Sequence, residues 1–237
     1  MRVLIIRHGD PDYSIDGLTE KGKREADLLS LRLQNEGIST IYCSPLGRAR
    51  LTAKPTAEKI GVDIITCDWL REFEARLEGI KGAPWNLPPR VWTADERAMD
   101  VSRWRDADLW KDTSVVAYYD MICAEFDKLL AAHGYIREGL VYRFDESLRE
   151  NDDTIAIFCH HGLGTALLAH LTGVPLPHMW HTVFLTPSSV TTALMEIHEP
   201  DVNTAIARLV SVSDTSHLFA GNEPISSSGL FTPIKRG

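Results

Sequence analysis

The sequence predicts an α/β fold, a three-layer α/β/α sandwich in which helices cover both faces of a mostly parallel sheet. Residues 3–6 form a continuous apolar run that ends just before a turn rich in Gly, Asp and Pro. Such a run is typical of a strand that is buried on both faces, as in parallel sheets. Strand-like and helix-like patterns then alternate along the chain, as expected when helices connect parallel strands.

The predicted elements follow one another with recognisable ends. Strands are expected at residues 3–6, 39–43, 62–66, 154–159, 190–197 and 207–212. Helices are expected at residues 47–60, about 113–133 and 163–171, in addition to a first helix that begins after residue 19. Thr19 is a suitable N-cap for that first helix, and Gly37 is expected to close it. Gly61 and Gly173 are expected to end two of the later helices.

The region from residue 72 to about residue 153 breaks this alternation. It contains four of the six tryptophans, namely Trp85, Trp92, Trp104 and Trp110. We therefore expect a single domain over residues 1–237 that carries a Trp-rich helical insertion at about 78–135. These tryptophans, with the neighbouring arginines, fit either a lid over the substrate or an extra helical layer with a solvated face. The second interpretation is favoured, with one or two tryptophans at the mouth of the site.

Composition and charge exclude several classes of protein. The chain has 237 residues, of which 44% are apolar, and no apolar run reaches 18 residues, so a buried core is expected and a membrane span is not. The formal net charge is −8 and no long Lys/Arg run is present, which argues against a nucleic-acid partner. The four cysteines form no C-x-x-C pair, and the N-terminal apolar run is too short for a signal peptide. A cytoplasmic location is expected, whereas the oligomeric state is not predicted.

Three polar clusters stand at the ends of predicted strands. They are Arg7-His8-Gly9, the stretch 44–49 that contains Arg48, and His160-His161-Gly162. Ligands of open α/β sheets bind beyond the carboxyl ends of the strands, and unpaired buried cations are costly, so an anion is expected between these clusters. A phosphate monoester dianion fits the fork of a guanidinium group, although sulfate or carboxylate would also fit. A neutral histidine is a competent nucleophile, which favours reaction over mere binding.

These motifs resemble those of the histidine phosphatase (phosphoglycerate mutase-like) superfamily. The matching stretches are, in chain order, R-H-G at 7–9, S-P-L-G-R-A-R-L-T-A at 44–53, L-R-E at 70–72, and C-H-H-G at 159–162 with A-L-L-A at 166–169. The resemblance covers nearly the whole chain apart from the Trp-rich insertion. The ordered set is much more specific than R-H-G alone.

The resemblance implies a phosphomonoester hydrolase that needs neither a metal ion nor a cofactor and acts on a small-molecule phosphate ester. It implies three catalytic residues, His8, Glu72 and His160, and three substrate-binding residues, Arg7, Arg48 and His161. His8 would carry the phosphoryl group as phosphohistidine, and Glu72 would protonate the leaving alkoxide and then activate water. The two arginines and His160 would hold the charge of the phosphate.

The sequence departs from the family pattern at two of these motifs. His161 stands where a glycine is usual, and we expect it to offer its backbone N–H to phosphate while His160 takes the catalytic position. The loop at residues 10–17 lacks the Asn that is common after R-H-G, which leaves Tyr13 or Ser14 as possible substitutes.

The identity of the proton donor and the type of reaction both leave alternatives open. Glu74 and Glu78 follow Glu72 closely, so the donor could be shifted in register. A phosphoglycerate mutase and a non-catalytic phosphate-binding protein are the alternatives to a hydrolase. Hydrolysis is favoured over the mutase because the insertion does not resemble the mutase substrate loop. A cysteine phosphatase is excluded because Thr165, and not an arginine, stands six residues after Cys159.

Overall fold

The computed structural model of the chain describes residues 1–77, 82–144, 153–198 and 200–232. The strands are β1 (Arg2–Arg7), β2 (Pro11–Asp12), β3 (Gly17–Leu18), β4 (Ile38–Cys43), β5 (Ile64–Thr66), β6 (Tyr135–Glu138), β7 (Val141–Phe144), β8 (Thr154–Cys159), β9 (Val190–His198) and β10 (Asp201–Asp214). The helices are α1 (Glu20–Leu33), α2 (Gly47–Ile60), α3 (Pro89–Trp92), α4 (Val115–Ala132), α5 (His161–Thr172), α6 (Leu176–Thr182) and α7 (Ser216–Ala220).

Within the described ranges, eight strands form a central sheet in the order β5-β4-β8-β1-β9-β10-β7-β6. The pairs among β5, β4, β8 and β1 are parallel, whereas β9, β10, β7 and β6 join the sheet by antiparallel pairs. Six of these eight strands therefore point in the same direction, and β9 and β7 point the opposite way. The predicted α/β fold with a mostly parallel sheet is confirmed.

Strand β1 shows why helices cover both faces of the sheet. Val3 and Ile5 belong to one apolar cluster, which includes side chains of α4 and α5. Leu4 and Ile6 belong to a second cluster, which includes side chains of α1 and α2. Successive side chains of a strand point to opposite faces, so this strand is buried between two helical layers.

The glycine caps end two helices as predicted, and one helix ends earlier. Helices α2 and α5 end at Gly61 and Gly173, which adopt left-handed φ angles of 71° and 70°. Thr19 caps α1 through its side chain. The expectation that α1 extends to Gly37 is wrong, because α1 ends at Leu33, its last apolar residue, and only polar residues follow. Without an apolar side chain to pack on the sheet, a further turn has little to stabilise it.

The chain after α4 contains a hairpin that the sequence pattern does not predict. Strands β6 and β7 are four residues each and turn at Gly139, whose φ is 67°. Tyr142 and Phe144 are buried, whereas Arg143 between them is exposed. Four residues are too few for a clear alternation, so only tertiary pairing with β10 identifies this strand.

The expected Trp-rich insertion contains α4, and its described residues before α4 form short helices. They are α3 and the 3₁₀ turns Pro84–Asn86, Glu96–Met99, Trp104–Asp106 and Asp108–Trp110. Trp104 and Trp110 are buried in the core, as the favoured interpretation of an extra helical layer requires, and Trp85 is only partly buried. Residues 78–81, which include Glu78 and the expected start of the insertion, lie outside the described residues.

The described helices include none whose length and apolar character would let it cross a membrane. All four cysteines are free thiols, and Cys43, Cys123 and Cys159 are buried. Burial raises the pKa of Cys43 and of Cys123 to about 12, so these thiols behave as small apolar side chains.

Helix α1 buries a carboxyl group beneath the loop that follows β1. The Glu25 side chain has no exposed surface, and its Oε2 accepts the Asp10 N–H at 2.7 Å. Its Oε1 lies 3.7 Å from Lys21 Nζ and has no hydrogen-bond partner among the described residues. Burial raises the pKa of Glu25 from its ordinary value of 4.5 to about 7.

We expect Glu25→Gln to stabilise the protein at pH 8.5 and to change its stability little at pH 5. The folded-state pKa lies above the unfolded-state value, so the wild type loses stability as the pH rises from 4.5 to 7. Glutamine keeps an acceptor for the Asp10 N–H and removes the buried charge. The gain at pH 8.5 is expected to be about 1–3 kcal/mol, or several degrees in thermal melting.

The exposed Glu58, on helix α2, offers the matched control variant Glu58→Gln. It is expected to leave the melting temperature nearly unchanged at both pH values. Equal stabilisation by Glu25→Gln at pH 5 and pH 8.5 would contradict ionisation of Glu25 as the cause.

Candidate active site

The three polar clusters meet at one edge of the central sheet because β4, β8 and β1 are neighbours in that order. Arg7 and Cys159, the last residues of β1 and β8, pair with each other, and Cys43 at the end of β4 pairs with Phe158. The residues that follow these strands therefore leave the sheet side by side. The structure brings His8, Arg48 and His160 together in this way.

His8 is buried, and its backbone N–H, its carbonyl and its Nδ1 each have a backbone hydrogen-bond partner. Its N–H donates to the Cys159 carbonyl at 3.0 Å, and its own carbonyl accepts the Ser188 N–H at 3.0 Å. The Nδ1 atom lies 2.8 Å from the Gly9 carbonyl oxygen. A carbonyl can only accept, so Nδ1 carries the proton and Nε2 of a neutral His8 carries the lone pair.

The electrostatic surroundings keep His8 neutral. Burial, followed by the nearby Arg7 guanidinium, holds the pKa of His8 well below its ordinary range. A nucleophilic imidazole must be unprotonated at the attacking nitrogen. His8 is therefore neutral at neutral pH, with a lone pair on Nε2.

His160 lies beside His8, with 5.2 Å between the ring centroids. Its Nε2 is 2.7 Å from Ser44 Oγ, and its Nδ1 is buried without a hydrogen-bond partner in the described part of the chain. Burial and the nearby His8 hold the pKa of His160 well below its ordinary range. A neutral His160 that accepts the Ser44 hydroxyl at Nε2 keeps its proton on Nδ1, which provides an unpaired donor. Ser44 is the first residue of the motif at 44–53, and no role was predicted for it from the sequence.

Arg7 is buried, and protein carbonyl groups occupy part of its guanidinium fork. Its Nη1 donates to the Leu185 carbonyl at 2.5 Å and its Nη2 to the Ser228 carbonyl at 3.1 Å. The guanidinium also lies over the Phe184 ring, 5.2 Å from the centroid. Its Nε is buried and finds no hydrogen-bond partner within the described ranges. The sequence did not indicate that residues 184–185 and 228 contact Arg7.

Arg48, the second residue of α2, is paired with an acidic residue that the sequence did not single out. Its Nη1 lies 2.5 Å from Asp16 Oδ1, and Asp16 Oδ2 accepts the Gly47 N–H at 2.7 Å. Asp16 has a left-handed φ of 47° and precedes Gly17, so the Asp-Gly turn aims its carboxylate at the first turn of α2. An acidic residue in the loop after R-H-G was the only local signal for this pair.

The two proposed substitutes for the missing Asn are located differently. The Tyr13 ring lies under the Arg48 guanidinium, 5.4 Å from its carbon, and Tyr13 is 65% exposed. Ser14 Oγ donates to Asp12 Oδ1 at 2.6 Å and is exposed. Only Tyr13 therefore contacts an arginine of the cluster.

Glu72 lies at the N-terminus of α5, next to the cluster. Its Oε1 accepts the N–H groups of Phe73 and Leu163, each at 2.9 Å. Burial raises the pKa of Glu72, and these N–H donors oppose the shift only in part. Glu74 instead has a side chain that is 58% exposed and lies 3.9 Å from Arg71 Nη1. Of the two, Glu72 has the partly buried location expected of a carboxyl group that starts a reaction protonated.

His161 is the first residue of α5, where backbone N–H groups have no partner within the helix. Its Nδ1 accepts the Leu185 N–H at 3.3 Å, and its ring lies 5.0 Å from that of Phe184. Burial, followed by Arg7, lowers the pKa of His161 to about 3. His160 and His161 are thus held by different partners. The described residues contain no group of three or more His, Cys, Asp and Glu side chains that could hold a metal ion.

Comparison with known proteins supports the resemblance over the N-terminal part of the chain, where the first three motifs lie. Residues 3–103 match the family model of the histidine phosphatase superfamily (branch 1). The chain is also similar to a protein of Yersinia pestis (strain Pestoides F) named "Probable phosphoglycerate mutase", with 38% identity over 82 residues. That alignment covers 31% of this chain and 38% of the relative, so the chain aligns with well under half of the relative's length.

Solved structures share the fold over most of the chain. A mycobacterial glucosyl-3-phosphoglycerate phosphatase superposes with a TM-score of 0.61 at 21% identity, covering 90% of this chain and 98% of that one. A phosphoserine phosphatase from Entamoeba histolytica, in complex with 3-phosphoglyceric acid, superposes with a TM-score of 0.60 at 17% identity, covering 92% and 98%. At these identities, the likeness establishes the fold.

Proposed function

We propose that this chain, whose N-terminal residues match the histidine phosphatase superfamily, is a metal-independent phosphomonoester hydrolase. The observation that carries the proposal is a buried, neutral His8 with its Nε2 lone pair free, beside Arg48 and His160. Phosphoryl transfer needs mainly in-line positioning and neutralisation of charge on the phosphate oxygens. Arginine and histidine donors supply both.

In the first step, the Nε2 lone pair of His8 attacks phosphorus in line with the ester oxygen. The N–P bond forms while the P–O bond to the alcohol breaks, and the ester oxygen keeps that electron pair. The carboxyl group of Glu72 gives its proton to this oxygen, so a neutral alcohol leaves and Glu72 becomes a carboxylate. Arg7, Arg48 and His160 hold the charge of the transferring group.

In the second step, a water molecule attacks the phosphorus of phosphohistidine from the side that the alcohol left. The Glu72 carboxylate takes a proton from this water, and the N–P bond breaks with its electrons returning to His8 Nε2. Inorganic phosphate leaves, His8 is again neutral and Glu72 is again protonated. The raised pKa of Glu72 and the lowered pKa of His8 both suit this cycle.

The hydrogen bonds of the two arginines also suit an anion-binding role. Asp16 occupies Nη1 of Arg48, while the buried Nε atoms of Arg48 and Arg7 have no hydrogen-bond partner among residues the structure describes. Unpaired buried donors are costly, and a phosphate oxygen would satisfy them. Binding of phosphate at Nη1 of Arg48 would require the Asp16 carboxylate to move away from this atom.

A phosphoglycerate mutase is the second candidate, because the similar Yersinia protein carries that name. In a mutase, the phosphohistidine would return its phosphoryl group to a second hydroxyl of the bound alcohol instead of to water. The two functions differ in the product. Net release of phosphate from phosphomonoesters marks a hydrolase, and interconversion of 2- and 3-phosphoglycerate far faster than any release of phosphate marks a mutase.

The proposal predicts release of inorganic phosphate from a panel of phosphomonoesters, including 4-nitrophenyl phosphate, in EDTA without added metal. Turnover of the best ester is expected to reach about 1 s⁻¹ or more. The rate should not change when Mg²⁺ replaces EDTA. Strict dependence on Mg²⁺ would overturn the mechanism, and binding of phosphate without turnover of any ester would favour a non-catalytic binding protein.

A further inference from the structure

An apolar cavity of about 800 Å³ opens beside His161. Its walls are largely apolar and include the aromatic side chains of Trp85, Trp92, Trp180, Phe184 and Phe231. Cavities of about 300–1,000 Å³ with such walls hold whole organic molecules of moderate size. This cavity is therefore far larger than a phosphate group needs, and its aromatic surface is suited to an apolar occupant.

The cavity carries no formal charge on the residues described as lining it, since none of them is Asp, Glu, Lys or Arg. The two histidines on its wall, His161 and His181, are neutral because burial lowers the pKa of each. The His181 ring stacks on Trp92, with 4.6 Å between centroids and 14° between planes. Its Nδ1 lies 2.6 Å from the Pro177 carbonyl oxygen, so His181 is a fixed part of the wall.

The wall of the cavity contacts residues of the proposed site. Phe184 lines the cavity and also contacts the guanidinium of Arg7. Trp85 lies directly against the first turn of α5, where a methyl group added to Gly162 would come within 2.6 Å of its ring. That same turn donates the Leu163 N–H to Glu72. The cavity wall and the expected proton donor therefore flank the same helix end.

Phe73 makes the second connection, because it directly follows Glu72 in the chain and packs edge-on against cavity tryptophans. Its ring centroid lies 4.7 Å from that of Trp180 and 6.5 Å from that of Trp85. An ester oxygen within reach of Glu72 consequently has its carbon skeleton next to these rings. The cavity borders these rings and has room for that skeleton.

We infer that this cavity binds the alcohol part of the substrate and that this alcohol is bulky, apolar and uncharged. The inference rests on the proposed hydrolase function and names its substrate class. A carboxylate in the cavity would lose its hydration without meeting a charged side chain among the residues described as lining it, which is costly. An aromatic or branched apolar group would instead exchange water for contact with tryptophan rings. Phosphate esters of small carboxylate-bearing alcohols are therefore expected to be poor substrates.

The test compares esters of primary alcohols, so that the leaving groups differ mainly in what fills the cavity. The favoured ester is 2-(1-naphthyl)ethyl phosphate, and the comparison esters are glycerol 3-phosphate, phosphoserine and 3-phosphoglycerate. We expect kcat/KM to be about 100-fold higher for the naphthyl ester than for either carboxylate-bearing ester. Equal or higher kcat/KM for phosphoserine or 3-phosphoglycerate would overturn the inference.

A matched pair of variants locates the effect in the cavity. Phe231 lines the cavity and Phe219 does not, yet both side chains are more than 80% exposed, so neither substitution is expected to unfold the protein. Phe231→Ala should raise KM for the naphthyl ester about 5- to 10-fold and change kcat/KM for glycerol 3-phosphate less than twofold. Phe219→Ala should change neither of these two constants.

Trp92→Ala should raise KM for the naphthyl ester more than Phe231→Ala does. Equal kinetics of the Phe231→Ala and Phe219→Ala variants on the naphthyl ester would contradict the cavity assignment.

Binding of the free alcohol separates this inference from the proposed function. If no ester, including 4-nitrophenyl phosphate, is hydrolysed, the proposed function fails. Calorimetry with 2-(1-naphthyl)ethanol then tests the cavity by itself. Binding that Phe231→Ala weakens and Phe219→Ala leaves intact supports the cavity assignment, and no detectable binding at millimolar alcohol overturns it.

Discussion

Replacement of His8 by alanine is expected to lower kcat for phosphate release by about 10⁴-fold or more. The neighbouring His160 is not expected to replace His8, because the Ser44 hydroxyl occupies the Nε2 lone pair of His160. The wild type should form a phosphoryl-enzyme that is labile in acid and stable in alkali, as phosphohistidine is. A rapid-quench experiment with a labelled phosphate ester measures both the rate and the intermediate.

The control for this prediction is His198→Ala, because His198 is exposed and distant in sequence from every motif of the site. It should keep full activity and the full yield of phosphoryl-enzyme. Thermal melting should show both variants folded. A His8→Ala variant that keeps phosphatase activity within tenfold of the wild type would refute the nucleophile assignment.

Replacement of Glu72 by glutamine is expected to give a loss that depends on the leaving group. For an alkyl phosphate, kcat should fall about 10²- to 10⁴-fold, because the alkoxide then leaves without a proton. For 4-nitrophenyl phosphate, whose leaving group needs no proton, formation of the phosphoryl-enzyme should slow by less than about tenfold. Glutamine keeps an acceptor for the N–H groups of Phe73 and Leu163, so the fold should be preserved.

Glu74→Gln is the matched control. Glu74 is the neighbouring carboxylate that could be the proton donor if the motif were aligned in a different register. It should retain wild-type rates on both esters. The alkaline limb of the kcat profile for an alkyl ester should also disappear in Glu72→Gln, because the group whose ionisation stops the reaction is gone. A leaving-group-dependent loss in Glu74→Gln, but not in Glu72→Gln, would move the proton donor to Glu74.

The sequence predicted most of the helices and strands that position the site. Helix α2 and strand β8 have the predicted bounds, because turn residues and apolar periodicity mark their ends locally. The hairpin β6–β7 was missed because each of its strands is four residues long and is stabilised by pairing with partners elsewhere in the chain. The predicted end of α1 was too late because Gly37 is a strong stop signal. The helix ends at Leu33, which is its last apolar residue.

Five of the six candidate residues of the site lie just after a predicted strand or at the start of a helix, and Glu72 could be named only from the L-R-E motif. The partners of these residues could not be named from the sequence. Arg48 pairs with Asp16, 32 residues away, and Arg7 donates to the carbonyl of Ser228, 221 residues away. A backbone carbonyl leaves no trace in the residue type, and an Asp-Gly turn does not indicate which arginine it faces. The roles assigned to the six residues remain predictions for the experiments above.

The sequence by itself determined the α/β class, the three strand ends at which cations and histidines collect, and the family whose motifs they resemble. Those features depend on local periodicity and on short motifs, and both can be recognised in the amino-acid sequence alone. The tertiary structure alone decided which protein groups pair with the two arginines and which side chains line the cavity beside His161. The cavity beside His161 is built from segments near residues 85–92, 180–184 and 229–231, and their convergence depends on how the layers pack.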